Sequence, residues 1–219
     1  MFSKVADNSN PQSMASKSRR KRFDFFLSKL NGLGKPVKIL DVGGTEKFWK
    51  AMNFTGSEDI EIYLLNLEHQ QVSLANFKSL KGDATDLSEF ENNFFDVVFS
   101  NSVIEHLFSW ENQQKMAHEI QRVGRYHFIQ TPNYWFPLEP HFVFPFFQYL
   151  PKSMRVNLTQ RFDLGHIKKA KDKAAAESII NEIQLLSIGQ MKNLFPQSDI
   201  YLDKIMGLNK SIVAHNFPQ

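Results

Sequence analysis

Apolar and polar positions fall into two rhythms along most of the chain. Val37-Lys38-Ile39-Leu40-Asp41-Val42 is a nearly continuous apolar run that ends in Gly43-Gly44, the pattern of a strand buried on both faces of a parallel sheet. Ile60–Leu67, Phe77–Lys81, Phe94–Ser100 and Arg125–Gln130 repeat that pattern, the last stopped by Thr131-Pro132. Between them, a stretch over roughly residues 46–53 and another over 110–123, with Trp110, Met116, Ile120 and Val123 apolar, have helical spacing. Residues 168–195 are helical again, with a second short helix starting at Ser187. Asp199–Met206 and Ser211–His215 read as two final strands joined by Gly207–Lys210, a link too short for a parallel crossover, so this pair is antiparallel. Strands alternating with helices predict an α/β fold: a Rossmann-like sheet of seven strands, mostly parallel, with a terminal antiparallel pair and helices on both faces.

Two segments break the rhythm. Residues 1–16 are rich in Ser, Asn, Gln and Lys and read as a disordered tail. Residues 17–32 follow as a basic amphipathic helix, with Lys17–Arg22 basic at five of six positions and Phe23, Phe26, Leu27 and Leu30 at helical spacing. That helix either caps the main domain or lies against a membrane surface or anionic partner. Residues 33–219 form a single domain carrying an aromatic insertion at 132–160, where eight of the sixteen residues from Tyr134 to Tyr149 are aromatic.

Composition narrows the chemistry. Cysteine is absent, which removes disulfides, thiolate metal sites and cysteine nucleophiles. The net charge of +3 resides in the tail: residues 1–22 hold six Lys/Arg and one Asp, leaving the rest at −2, which argues against a nucleic-acid partner. With no apolar run near the length of about 18 residues that spans a membrane and no signal-like N-terminus, the expected location is the cytoplasm, with peripheral membrane contact open to the basic helix or the aromatic insertion. No metal-ligand set is read from the sequence.

The first strand ends in Ile39-Leu40-Asp41-Val42-Gly43-Gly44-Thr45, at the edge where open α/β sheets bind ligands. It lacks the G-x-G-x-x-G spacing of a dinucleotide site, and Glu46 opposes a pyrophosphate. A carboxylate beside two glycines suits a cationic or hydroxyl-bearing ligand, and S-adenosylmethionine has a sulfonium, an ammonium, a ribose diol and no phosphate. The second strand ends Asn66-Leu67-Glu68, the third Gly82-Asp83-Ala84-Thr85-Asp86-Leu87, and the fourth runs Phe95-Asp96-Val97-Val98-Phe99-Ser100-Asn101-Ser102-Val103-Ile104-Glu105-His106-Leu107. In that order these segments strongly resemble the class I S-adenosylmethionine-dependent methyltransferases, above all the small-molecule branch called the type 11 methyltransferase domain. The resemblance covers about residues 36–217. It implies that Asp41, Gly43 and Gly44 surround the methionine part of the cofactor, that Asn66 or Glu68 holds the ribose, that Asp83 takes the adenine amino group with Ala84 beside it, and that Asn101 and Ser102 run along the cofactor. The usual D-x-G-x-G-x-G is shortened here to D-V-G-G-T, and Asn66 stands where the family has Asp.

The acceptor is expected to be a hydroxyl or amine of a small molecule, lipid or saccharide. The T-P-N-x-W-F-P-x-E-P-H stretch resembles methyltransferases of bacterial glycan and lipid biosynthesis. Methyl transfer to a hydroxyl needs a proton acceptor, and histidine is the natural base near neutral pH. His141, with Glu139 as its orienter, and His106 are the catalytic candidates; Tyr134, Trp135, Phe136 and Phe142 are the candidate substrate walls. The rival reading is a non-catalytic cofactor-binding or scaffold protein on the same fold, supported by the abbreviated glycine motif.

Overall fold

The structure, a computed structural model, describes residues 12–56 and 58–218. Its helices and strands run α1 (Met14–Leu30), β1 (Val37–Val42), α2 (Glu46–Ala51), β2 (Ile60–Asn66), β3 (Phe77–Lys81), β4 (Phe95–Asn101), a 3-10 turn at Ile104–His106, α3 (Trp110–Val123) and β5 (Gly124–Pro132). Then come the short strands β6 (Leu138–Glu139) and β7 (Phe144–Pro145), a 3-10 turn at Phe147–Tyr149, α4 (Lys152–Arg161), α5 (Lys173–Glu182), α6 (Ile188–Leu194), β8 (Asp199–Ile205) and β9 (Leu208–His215). Seven strands form one sheet in the order β3-β2-β1-β4-β5-β9-β8, with β3, β2, β1, β4 and β5 parallel and β9 antiparallel to both β5 and β8.

Alternation along the buried strands assigns the two faces. Leu40, Val42 and Val98 pack under Met116, Ala117 and Ile120 of α3 and Met191 and Leu194 of α6. Ile39, Val97 and Phe99 point the other way, onto Phe23, Phe26 and Leu30 of α1 and Trp49 of α2. The helices therefore cover both faces, while irregular chain makes the β2–β3 and β3–β4 crossings. Among the described residues no helix is long and apolar enough to cross a membrane.

Several boundaries differ from the sequence reading. The helix α1 begins at Met14 because Ser13 caps it, its side chain accepting from Ser16 N at 3.0 Å. The tail reading thus ends too late, and its first eleven residues lie outside the described residues. The apolar face of α1 is spent on the core: Phe23 and Phe26 are buried, so the helix caps the domain. The strand β5 continues through Thr131 and Pro132, whose partners on β9 are Ile212 and Ser211. Lys168–Asp172 is not helical, and Asp172 caps α5 instead. The last hairpin turns on Met206 and Gly207 alone, both at positive φ, which extends β9 back to Leu208 and makes Lys210 a strand residue.

The insertion does not lie flat on the sheet. Phe142 and Phe147 stack with centroids 4.0 Å apart and share a third core with Val156, Leu164, Ala176 and Ile180, so the aromatic segment, α4 and α5 form one lid.

Candidate active site

The carboxyl ends of β1 to β4 place most of the sequence-derived cofactor residues along one edge. Asp41 is buried and accepts from Trp49 Nε1 at 2.7 Å. Burial pushes its pKa up to about 8, against the opposing pull of the Trp49 bond. It lies beneath the glycine loop rather than open at the strand end. Gly43 turns at φ +74°, a region that favours glycine.

Asn66, at the end of β2, donates to Gly44 O at 2.9 Å and ties the second strand to that loop. Glu68 lies two residues further on, exposed, with Lys81 Nζ 3.0 Å away. Asp83 is exposed; its Oδ1 accepts from Thr85 N and Thr85 Oγ1, each at 2.8 Å, which leaves the carboxylate fixed with a second oxygen available for a ligand. Ala84 is buried beside Leu65 and Leu87. Asn101 ends β4, and Ser102, at φ +60°, bonds Gln130 twice, N to O and Oγ to Oε1, both at 3.0 Å. Carboxyl groups at the ends of β1 and β3 and just past β2, beside a glycine turn, fit a ligand with cationic, hydroxyl and amino groups and oppose a polyphosphate. S-adenosylmethionine meets that description.

The two candidate histidines, 35 residues apart in sequence, face each other. His106 lies on the 3-10 turn after β4 and His141 on the turn between β6 and β7. Their Nε2 atoms are 3.2 Å apart, ring edge to ring face. His141 Nδ1 lies 2.7 Å from Glu139 Oε1, and His106 Nδ1 lies 3.2 Å from Glu182 Oε1 on α5. The other oxygen of Glu139 accepts from Phe142 N at 2.7 Å, so the carboxylate is held by its own turn. Carboxylates accept only, so each Nδ1 carries its hydrogen and each Nε2 presents a lone pair to the other. Below them Glu105 is fully buried; Oε2 accepts from Thr131 Oγ1 at 3.0 Å and Oε1 has no partner. Burial raises its pKa, against the charges of the two histidines.

Three acceptor groups, from Glu105, His106 and His141, thus converge within 4.8 Å. Such a cluster of acceptors calls for a positive charge between them, a proton or a cation, and its donors are of the types that hold a divalent cation. Burial lowers the basicity of His141, but its bond to Glu139 and the charges of Glu139, Glu105 and Glu182 outweigh this and leave its pKa above the ordinary value. Glu105 and Glu182 escaped the sequence reading. Glu105 carried a signal there, as the neighbour of His106 in Ile104-Glu105-His106; Glu182 carried none, since it arrives from a helix 76 residues away.

The candidate substrate walls divide. Phe136 lines a cleft of about 860 Å³, its open mouth included, that also takes in Ser102 and Gln130. Phe142 belongs instead to the core of the lid, and with Tyr134 borders a second cavity beneath it. Trp135 is 65% exposed, edge-on to Tyr134. Of the four, Phe136 alone lines that cleft: the insertion has its own core to fill, and that core takes Phe142.

Residues 40–126 match the family described as "Methyltransferase domain". No curated protein sequence matches the chain. Among solved structures, a SAM-dependent methyltransferase from Methanosarcina mazei is 13% identical, with a TM-score of 0.54 over 87% of this chain and 97% of that one. The CurJ carbon methyltransferase is 12% identical, with a TM-score of 0.58 over 94% of this chain and 56% of that one. At such identities the structures speak for the fold, and the family match speaks for the activity. Residues 40–126 match a methyltransferase domain, and the seven-stranded sheet around them supports a methyltransferase of the class I, S-adenosylmethionine-dependent type.

Proposed function

We propose that the protein transfers the methyl group to a hydroxyl, or an amine, of a small molecule, lipid or saccharide, and that the paired imidazoles of His141 and His106 take up the proton the acceptor loses. The observation that supports this reading is the pair itself: two Nε2 atoms 3.2 Å apart at the carboxyl end of the sheet, each backed by a carboxylate.

In this reading Asp41, Gly43 and Gly44 would hold the methionine part of the cofactor, Asn66 or Glu68 the ribose, Asp83 and Ala84 the adenine, and Asn101 and Ser102 its flank. Bound there, S-adenosylmethionine supplies a methyl group on a sulfonium, already activated for in-line displacement. The work left to the chain is alignment, exclusion of water and removal of one proton. When the pair is neutral, an Nε2 lone pair can accept the hydroxyl proton; Glu139 and Glu182 then stabilise the imidazolium formed. Phe136, on the lid, would supply an apolar wall to the cleft that Ser102 of the β4 loop also lines.

The test starts with extract incubated with the protein and deuterated-methyl cofactor, using mass spectrometry to find the acceptor. His141→Ala and His106→Ala are then compared with the parent. Turnover is expected to fall by about 10²–10⁴-fold, the usual cost of losing a general base, with S-adenosylhomocysteine affinity unchanged. Full activity in both variants would leave catalysis to alignment alone. Activity lost to a chelator and restored by zinc would put a metal ion in place of the proton.

A further inference from the structure

The basic block of α1 is not one solvated patch. Helical spacing turns its members in different directions. Lys17 and Lys21 are exposed, while Arg20 reaches back to cap the end of α2, donating to Met52 O at 2.8 Å and Ala51 O at 3.0 Å. Arg19 and Arg22, three apart and so on one face, line the cleft that Ser102 and Gln130 also line, and Lys210 reaches it from β9.

The charges there do not balance. Arg22 is buried in an ion pair with Asp203, 2.7 Å away, and Asp203 also accepts from Ser18 Oγ. Arg19 has no hydrogen bond or ion pair among the described residues. The Lys210 ammonium has only a 3.4 Å contact with Ser18 Oγ. His166 lines the same cleft. Three basic side chains therefore share one carboxylate. Burial and the two arginines bring Lys210 down to about 8, and burial and Arg22 lower Arg19. In addition, Arg22 Nε is buried without a partner. A half-closed cavity that concentrates like charge in this way is unfavourable until an anion enters it.

We infer that this cleft binds an oxyanion, a phosphate or carboxylate group carried by the methyl acceptor, held by Arg19, Arg22 and Lys210. The chemistry suits the lining: guanidinium forks match the oxygens of both groups, and Ser211 stands beside them. The apolar side of the cleft, Phe136, Leu138 and Pro140, would then face the body of the acceptor. Ser102 belongs both to this cleft and to the loop after β4, so an anchored acceptor lies against the cofactor edge. The acceptor part of this inference rests on the methyl-transfer reading above; the oxyanion site itself does not.

Calorimetry on the full chain tests it, with inorganic phosphate as the probe at constant ionic strength against chloride, and S-adenosylhomocysteine as the second titrant. The variants are Arg19→Gln and Lys210→Gln, which spare the buried Arg22–Asp203 pair. Phosphate is expected to bind the parent, each variant to bind it about fivefold or more weakly, and S-adenosylhomocysteine to bind all three alike. Phosphate binding no stronger than chloride, or untouched by the substitutions, overturns the proposal. A matching loss of S-adenosylhomocysteine affinity also overturns it, because the cations would then serve the carboxylate of the cofactor. Failure of the parent to bind S-adenosylhomocysteine strikes the methyl-transfer reading and, with it, only the acceptor part of the proposal.

Discussion

Asp41 lies directly beneath Gly44: a Cβ built on Gly44 would stand 1.6 Å from Asp41 Oδ2. The second glycine of the shortened motif is thus required by the strand-end carboxylate itself, before any ligand is considered. Gly44→Ala must either expel the Asp41 side chain from its bond with Trp49 or move the loop. The expected cost is about 1–3 kcal/mol in urea unfolding, as for an overpacked core, with loss of S-adenosylhomocysteine binding. A variant of parental stability and affinity would show that the loop yields freely.

Asp41 gives a second prediction. With its pKa at about 8, it is largely protonated at pH 7 in the unliganded protein. A sulfonium or ammonium placed nearby favours the carboxylate and lowers that pKa, so cofactor binding releases a proton. Titrations of S-adenosylmethionine at pH 7 in two buffers of different ionisation enthalpy should differ accordingly, and the difference should vanish in Asp41→Asn. The folding consequence has a definite sign. The raised pKa means that stability is full below the ordinary carboxyl value and declines as pH rises toward 8, a decline that Asp41→Asn removes.

The histidine pair predicts a pH profile. Because its pKa is raised, His141 keeps its proton to a higher pH than an isolated histidine. A base must be deprotonated to act, so kcat/KM should rise with pH through a midpoint above 6.5, the ordinary histidine value. Glu139→Gln removes the charge that does most to raise it and should move the midpoint down. An unchanged midpoint in that variant would separate the profile from this pair.

The Arg22–Asp203 pair holds the middle of α1 to β8. Arg22→Ala leaves a carboxylate buried without its partner and should destabilise the fold by about 3–5 kcal/mol. The double variant Arg22→Met with Asp203→Leu should recover much of that loss, because two apolar side chains remove both desolvated charges. Additive losses in denaturant unfolding would contradict the coupling.

Much of the sheet was legible in the sequence because its signals are local. A strand buried on both faces is apolar over a few consecutive residues whatever lies beside it, and Gly43-Gly44, Gly82 and Gly124 punctuate the runs. The terminal hairpin followed from the length of its link. Ends governed by a single cap or a distant partner were misplaced. Ser13 extends α1 backward into a polar stretch, and pairing with β9 carries β5 through Thr131-Pro132, which read as a stop.

The sequence by itself determined the sheet and the order of its ligand-facing loops, since these depend on residue type and short-range period. Only the tertiary structure decided the pairings. His106 and His141 were each singled out alone, and their meeting depends on a lid folding onto a turn 35 residues away. Lys17–Arg22 read as one basic block, and the 3.6-residue turn of a docked helix divided it into a cap, a cleft wall and a solvated edge. Phe142 read like Phe136 by composition, and the demand of the lid for a core of its own drew the two apart. Such relationships are contacts between segments remote in sequence, and no local pattern of polarity encodes which remote segment will supply the partner.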